Sequence, residues 1–206
     1  YISGTTSSND FPALLGHQML SGGGGPGRTD AFLFKLNPAG GCIWATYYGS
    51  SVMENGYNVT VDGLGNVILG GHTTSTTSIS TAGSYQNSFG GGVGIGDGFI
   101  VKFNSSGTRQ WGTYLGGTKK EWIFDLATDV NGNIYAYGEW EDETSSGNYP
   151  VSTCAYQTNY GGVEDVFIAK YDTAGQQRCI TYFGGPAEED IEYQEGLAVN
   201  GNTIYI

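Results

Sequence analysis

A chain of 206 residues with 36 glycines, 14% aromatic and only 14% charged residues suits short strands and tight turns, not long helices. Its formal net charge of −12, with acidic clusters at 139–143 and 188–195, repels phosphate backbones and argues against nucleic acid or anionic membranes as partners. No stretch approaches the ~18 consecutive apolar residues of a membrane-spanning helix, so membrane insertion is not expected.

The first predicted element is the strand of "YISG", which runs into a long loop over 5–29. A second strand follows in "DAFLFKL", where Phe32, Phe34 and Leu36 alternate with Leu33 and Lys35 at the two-residue period of a strand. The third strand, "CIWATYY", ends in Thr-Tyr and is followed by Gly49 and, five positions later, Glu54. An apolar strand then leads into the turn "DGLGN", where Asp62 caps its own backbone and Gly and Asn tolerate positive φ. The next strand, "VILGGHT", returns to the phrase with which the chain began.

The same order recurs twice more. "GDGFIVKFNSSG" and "EDVFIAKYDTAG" repeat "TDAFLFKLNPAG", with Lys35, Lys102 and Lys170 spaced 67 and 68 residues apart. The second and third copies carry "WGTYLGG" and "CITYFGG", so Trp44 and Trp111 are equivalent and Cys179 fills their slot in the third. Four antiparallel strands in each ~67-residue period, repeated, define the blade of a β-propeller. The expected fold is all-β: about three four-stranded antiparallel blades, with equivalent strands beginning near 30, 97 and 165. A repeated sandwich is the alternative, against which the small size of the unit argues. The first and last residues align with one strand of the unit, and closed propellers use ~4–8 blades. Residues 1–206 are therefore expected to form a segment of a six- to eight-bladed ring, with the remaining blades of the same protein as partners.

The combination of the Asp-x-Phe strand with its lysine, "TYxGG", the following Glu and the "GNxYxxG" turn-strand resembles the bacterial SBBP repeat, a seven-bladed β-propeller family. The resemblance covers nearly the whole chain and implies a secreted or cell-surface protein without an established enzymatic activity. The chain departs from the pattern in its long loops, notably over 11–29 and 139–162.

The residues offer little catalytic chemistry. There is no G-x-S-x-G, Walker or dinucleotide fingerprint. His17 occupies the slot of Tyr85 and Tyr156, each followed by Gln, and so reads as a structural repeat position. His72 has no nucleophilic partner assignable from spacing. Counted from Asp129, the "DVNGN" turn lacks the EF-hand ligand positions. Carboxylates recurring once per blade are the most regular polar feature: Asp30, Asp97 and Asp165 before each Phe strand, and Glu54, Glu121 and Glu189 after each Gly pair. They cap turns or pair with the repeated lysines, or they form weak divalent-cation sites with Ca²⁺ as the ion.

Cys154 and Cys179 lie on neighbouring predicted segments and are expected to form a disulfide, leaving Cys42 unpaired. A disulfide places a chain outside the cytoplasm. The loops 5–29, 72–96 and 139–164 join equivalent strands and should emerge on one side. Varied loops on a rigid scaffold are where binding surfaces arise. In the third loop Trp140, Tyr149, Tyr156 and Tyr160 combine with acidic residues, a composition suited to a neutral glycan or a protein partner. The functional expectation is a non-catalytic module for adhesion, display or protein/glycan interaction. The alternative is a carbohydrate-active protein, lectin or glycoside hydrolase, with its site in these loops.

Overall fold

The computed structural model describes residues 1–23, 27–91, 96–141, 152–189, 191, 196–201 and 203–206. Among them the chain is all-β, with no helix. Thirteen strands follow in order: β1 (Ile2–Thr6), β2 (Asp30–Leu36), β3 (Cys42–Tyr48), β4 (Glu54–Val61), β5 (Val67–Thr73), β6 (Asp97–Phe103), β7 (Arg109–Leu115), β8 (Lys120–Thr128), β9 (Ile134–Glu141), β10 (Glu164–Tyr171), β11 (Gln177–Phe183), β12 (Ala198–Asn200) and β13 (Thr203–Tyr205). They form antiparallel sheets in sequence order. β1-β2-β3 has three strands, β4-β5-β6-β7 and β8-β9-β10-β11 have four each, and β12-β13 has two.

Among the described residues two of these sheets have the full four strands, in agreement with propeller-like blades. Each sheet begins at the strand opened by Glu54 or Glu121, so the repeating phrase read from the Asp-x-Phe strand straddles two sheets. The reason is local. The glycine after the Thr-Tyr strand, Gly49 or Gly116, ends the ladder, and the chain crosses to start the next sheet.

The copies share one register. Lys35 lies opposite Trp44, Lys102 opposite Trp111 and Lys170 opposite Cys179, and each ladder slips immediately after its lysine. The lysines do not reach the repeated carboxylates. Lys102 is buried and forms an ion pair with the turn residue Asp62 (2.9 Å), Lys35 donates to the Ser105 carbonyl (2.8 Å), and Lys170 lies over the Tyr135 ring at 5.0 Å.

Period-two alternation gives each sheet two apolar faces, and consecutive sheets bury them against one another. Leu33, Trp44 and Tyr48 of the first sheet pack on Val67, Leu69, Phe99, Val101 and Phe103 of the second. Ile68, Ile100, Trp111 and Leu115, on the opposite face of that second sheet, pack on Ile123, Ala136, Trp140, Phe167 and Ala169 of the third. Each such side chain contributes about 1.5–3 kcal/mol on burial. The inner strands of a sheet flanked on both sides are covered on both faces, which is why every residue of β6 is buried while Phe32 and Phe34 of β2 are only half-buried. Those two phenylalanines are covered instead by Phe11 from the β1–β2 loop, with ring centroids 4.9 and 4.7 Å away.

A tryptophan fastens each of these two joints. Trp44 Nε1 donates to the Ser105 carbonyl and Trp111 Nε1 to the Thr173 carbonyl, both at 3.1 Å, in the outer hairpin turn of the following sheet. The indoles lie flat on a glycine of that turn: Gly107 (φ +83°) beneath Trp44 and Gly175 (φ +79°) beneath Trp111. In the third sheet the tryptophan slot holds Cys179, bonded to Cys154 with Cα atoms 5.9 Å apart; Cys42 is exposed and unpaired. Closing a loop of 25 residues is worth about 3.5 kcal/mol in the chain-entropy account.

Gly40, at φ +82° in the equivalent turn of the first sheet, has nothing within 4 Å of an added Cβ. Gly40→Ala is therefore expected to cost only the left-handed backbone penalty of about 1–2 kcal/mol. Gly107→Ala adds a collision with the Trp44 ring and should cost about 2 kcal/mol more. Urea unfolding of the two variants side by side measures the difference.

Candidate functional site: carboxylate pairs at the sheet joints

The six repeated carboxylates meet in pairs: Asp30–Glu54 and Asp97–Glu121 each span two consecutive sheets, and Asp165 meets Glu189 in the loop after β11. Within a sheet, Glu54 is in register with Thr73 and Thr73 with Asp97, while Glu121 is in register with Trp140 and Trp140 with Asp165. The side chains therefore lie at one level around the array. A backbone bond sets each approach: Glu54 N–H to Thr29 O (2.8 Å), Glu121 N–H to Gly96 O (3.0 Å) and Glu189 N–H to Glu164 O (3.1 Å).

The first glycine after each Thr-Tyr strand is what lets the carboxylates come together. A Cβ at Gly49 would collide with both Asp30 Oδ1 and Glu54 Oε2. At Gly116 it would meet Asp97 and Glu121 Oε2, and at Gly184 it would meet Asp165 Oδ1 and Glu189 Oε2. Each glycine thus leaves the space into which an aspartate and a glutamate press.

Donors surround the pairs. Asp30 Oδ2 accepts from Ser21 Oγ (2.6 Å) and Gly22 N–H (3.1 Å). Asp97 accepts from Gly90 N–H (2.9 Å), Gly91 N–H (2.8 Å) and Gln86 Nε2 (3.2 Å). Asp165 Oδ2 accepts from Gly161 N–H (2.7 Å) and Gln157 Nε2 (3.3 Å). Glu54 accepts from Thr73 Oγ1 and Ser50 N–H, each at 2.7 Å. Burial nevertheless outweighs these bonds and raises the pKa of Asp30, Glu54, Asp97 and Asp165 above the ordinary carboxylate range, with Asp97 pushed up to about 6. The partner carboxylate adds to the rise at Glu54 and Asp165.

Among the described residues no group of three or more His, Cys, Asp or Glu side chains converges. A pair supplies two side chains where Ca²⁺ takes 6–8 oxygens. His72 lies apart from these pairs in role: it is buried, stacked on Trp122 at 5.6 Å, and desolvation lowers its pKa to about 4, so it is neutral.

A residue that the sequence reading passed over organises the surroundings. Gln18, Gln86 and Gln157 each donate their backbone N–H to a threonine Oγ1 (Thr46, 2.7 Å; Thr113, 3.0 Å; Thr181, 2.9 Å), and their Oε1 accepts from the N–H of Gly49, Gly116 or Gly184. Their carbonyls accept from Tyr47, Tyr114 and Tyr182 N–H. The loop segments around Gln18, Gln86 and Gln157 are thereby laid along the outer edge strands β3, β7 and β11 as caps. The repeated His-Gln and Tyr-Gln pairs were the signal for this role.

The aromatic set proposed for ligand binding is divided by the structure. Trp140 is only 1% exposed: it belongs to the core between the second and third sheets and packs edge-on against Tyr182. Its place in β9, opposite Glu121 and Asp165, turns the ring inward, so it is not a surface anchor. Tyr160 is half-buried against the same core and donates to the Trp140 carbonyl at 3.0 Å. Tyr156 is 84% exposed and stacks on Phe183. Tyr149 lies outside the described residues.

No protein-family model matches the chain. It is 27% identical over 182 residues to an uncharacterized WD repeat-containing protein of Acanthamoeba polyphaga mimivirus, covering 84% of this chain and 13% of that protein. It is 24% identical over 183 residues to the regulatory protein FlaEY of Caulobacter vibrioides, covering 87% of this chain and 18% of that protein. The chain thus spans less than a fifth of the length of either curated relative. These similarities agree with a repeated β-sheet protein.

Trp140→Ala is expected to lower stability by about 3–5 kcal/mol, as emptying a packed core site does. Tyr156→Ala should change it by less than about 0.5 kcal/mol, as at an exposed position. Chemical denaturation monitored by fluorescence distinguishes them.

Proposed function

We propose that the chain is a non-catalytic run of propeller blades whose first long loop presents an apolar surface to a protein partner. The observation that carries this reading is Leu15. Between the edge bond and the glutamine cap, the first loop is one residue shorter (Leu14 to Gln18) than its counterparts (Thr81 to Gln86 and Ser152 to Gln157). Leu15 closes the tighter turn at φ +52°, a region that L-residues other than Asn and Asp seldom occupy. It is 74% exposed, and the same loop also exposes Leu20 at 77%, Leu14 and Met19. An apolar side chain held in a strained conformation and left in water contributes nothing to the fold, and exposed apolar patches mark interaction sites.

The polar groups that could do chemistry are, by contrast, engaged in holding the sheets together. That one relative is a regulatory protein and the other a WD repeat-containing protein supports an interaction role over a catalytic one. The resemblance to SBBP repeats and the Cys154–Cys179 bridge support a secreted or cell-surface setting, with adhesion or display as the form of the interaction and further blades of the same protein as neighbours.

Leu15→Gly should stabilise the chain by about 1 kcal/mol by relieving the strained backbone, and Leu15→Gly with Leu20→Ser should abolish capture of the protein partner obtained by cross-linking to the wild-type chain. Retained capture by the double variant would refute the reading. Binding on a glycan array or release of sugar from polysaccharides, unaffected by these substitutions, would favour a carbohydrate-active protein instead.

A further inference from the structure

The carboxylate pairs contain an imbalance that their hydrogen bonds do not resolve. Asp30 and Asp165 are 1% and 0% exposed; Ser21 and Gly22, or Gln157 and Gly161, donate to Oδ2, the backbone amides of Gly23 and Gly162 also bear on the carboxyls, and Oδ1 has no partner in good hydrogen-bond geometry. In both, that Oδ1 faces the glycine notch shared with the Oε2 of Glu54 or Glu189. An ionised oxygen left buried against a second carboxylate would bear both a desolvation cost and like-charge repulsion. Two equivalent joints, built from different surrounding residues, have the same vacancy on the same atom.

We propose that the first and third joints each hold one proton shared between aspartate and glutamate, carried on Oδ1 of Asp30 and Asp165 and donated to Glu54 and Glu189, so that ionisation of these pairs loosens the joints. A carboxylic acid donating to a carboxylate makes one of the stronger hydrogen bonds available to side chains. It also satisfies the buried oxygen and removes the repulsion.

The groups facing the pairs leave the proton as the compensating charge. Around Asp30 and Glu54 stand Ser21, Gly22, Ser50, Thr73 and the phenols Tyr47, Tyr48 and Tyr114, which burial keeps protonated; Arg109 bears on Tyr48. Around Asp97 and Glu121 are Gln86, Gly90, Gly91 and Tyr114. Lys120, next to Glu121, is paired with Glu141 at 2.8 Å, and His72 is neutral. Around Asp165 and Glu189 are Gln157, Gly161 and Gly185, with Glu164 and Glu188 bridging alongside.

The direction in pH follows from linkage. A carboxyl whose folded pKa is raised supplies stability that is complete below its unfolded value and is lost as pH rises through the folded value. For Asp97 this window runs from the ordinary 3.8 to about 6. The turn residues Asp62, Asp129 and Asp172 have lowered pKa values, held down by their hydrogen bonds, and act oppositely, losing stability as pH falls below the ordinary range. The joints should therefore be tightest in mildly acidic solution.

Asparagine reproduces the protonated aspartate, since its Oδ1 can take the donors of the native Oδ2 while its amide donates where the proton sat. The test follows the thermal midpoint of the 206-residue chain from pH 5 to pH 8, in EDTA and in millimolar Ca²⁺, for wild type and for Asp30→Asn with Asp165→Asn. The wild-type midpoint should fall by about 5 °C across this range. The double variant should be the more stable at pH 8 and have a flatter profile, with Ca²⁺ changing neither. Independently of any substitution, carbon-13 NMR of the wild-type side-chain carboxyls should show aspartate resonances still protonated at pH 5. The proposal is overturned if every aspartate has ionised below about pH 4.5. It is equally overturned if Ca²⁺ raises the wild-type midpoint at pH 8 and the asparagine variant loses that response, which would make the pairs cation ligands.

Discussion

A β-sheet that is apolar on both faces must be covered twice, and in this chain each sheet is covered by its neighbours. The joint between sheets is therefore the interaction on which everything else rests. It has an apolar centre, where Leu33 and Tyr48 or Ile100 and Leu115 meet the next sheet, and an outer clasp, where a tryptophan lies on a left-handed glycine. Near its other end two carboxylates close over a glycine without a side chain. Because the parts recur every 67 or so residues, one solution to the covering problem is used repeatedly, as in repeat architectures whose stability is a sum over units and nearest-neighbour interfaces.

The polar contents of the joint give it a character that apolar packing alone would lack. Dispersion and burial are indifferent to pH, whereas a buried acid pair is not. The same glutamine that lays the loop along the outer strand also donates to Asp97 or Asp165, so edge protection and joint electrostatics share a residue. Loops that differ freely in composition elsewhere are pinned at this one point.

Much of this was legible in the sequence because repetition makes weak signals add. The lysine spacing, the Thr-Tyr-x-Gly phrase and the Asp-Gly-Asn turns located the strands, and the slot shared by Trp44, Trp111 and Cys179 was visible by alignment alone. The sheet boundary was not legible, since nothing local distinguishes a chain that turns back into its own sheet from one that crosses to the next. The partner of each repeated carboxylate was hidden for the same reason: Asp30 and Glu54 belong to different sheets and are brought together only by the packing. Trp140 was misread because it interrupts the repeat. Its slot holds Thr73 in the preceding copy, where a hydroxyl bonds Glu54, and the larger ring fills the same space from within rather than from solvent.

The glutamine-pinned loops also bear on how the protein fails. An outer strand such as β7 would otherwise present a row of unpaired amides and carbonyls, the template on which chains stack into fibrils. Thr81 and Gln86 occupy Gly112 and Tyr114 on that row, as Leu14 and Gln18 occupy Ala45 and Tyr47 on β3. Peeling one loop away uncovers an adhesive edge while the sheet beneath stays folded, so aggregation in this protein would begin from a nearly native species and need no global melting.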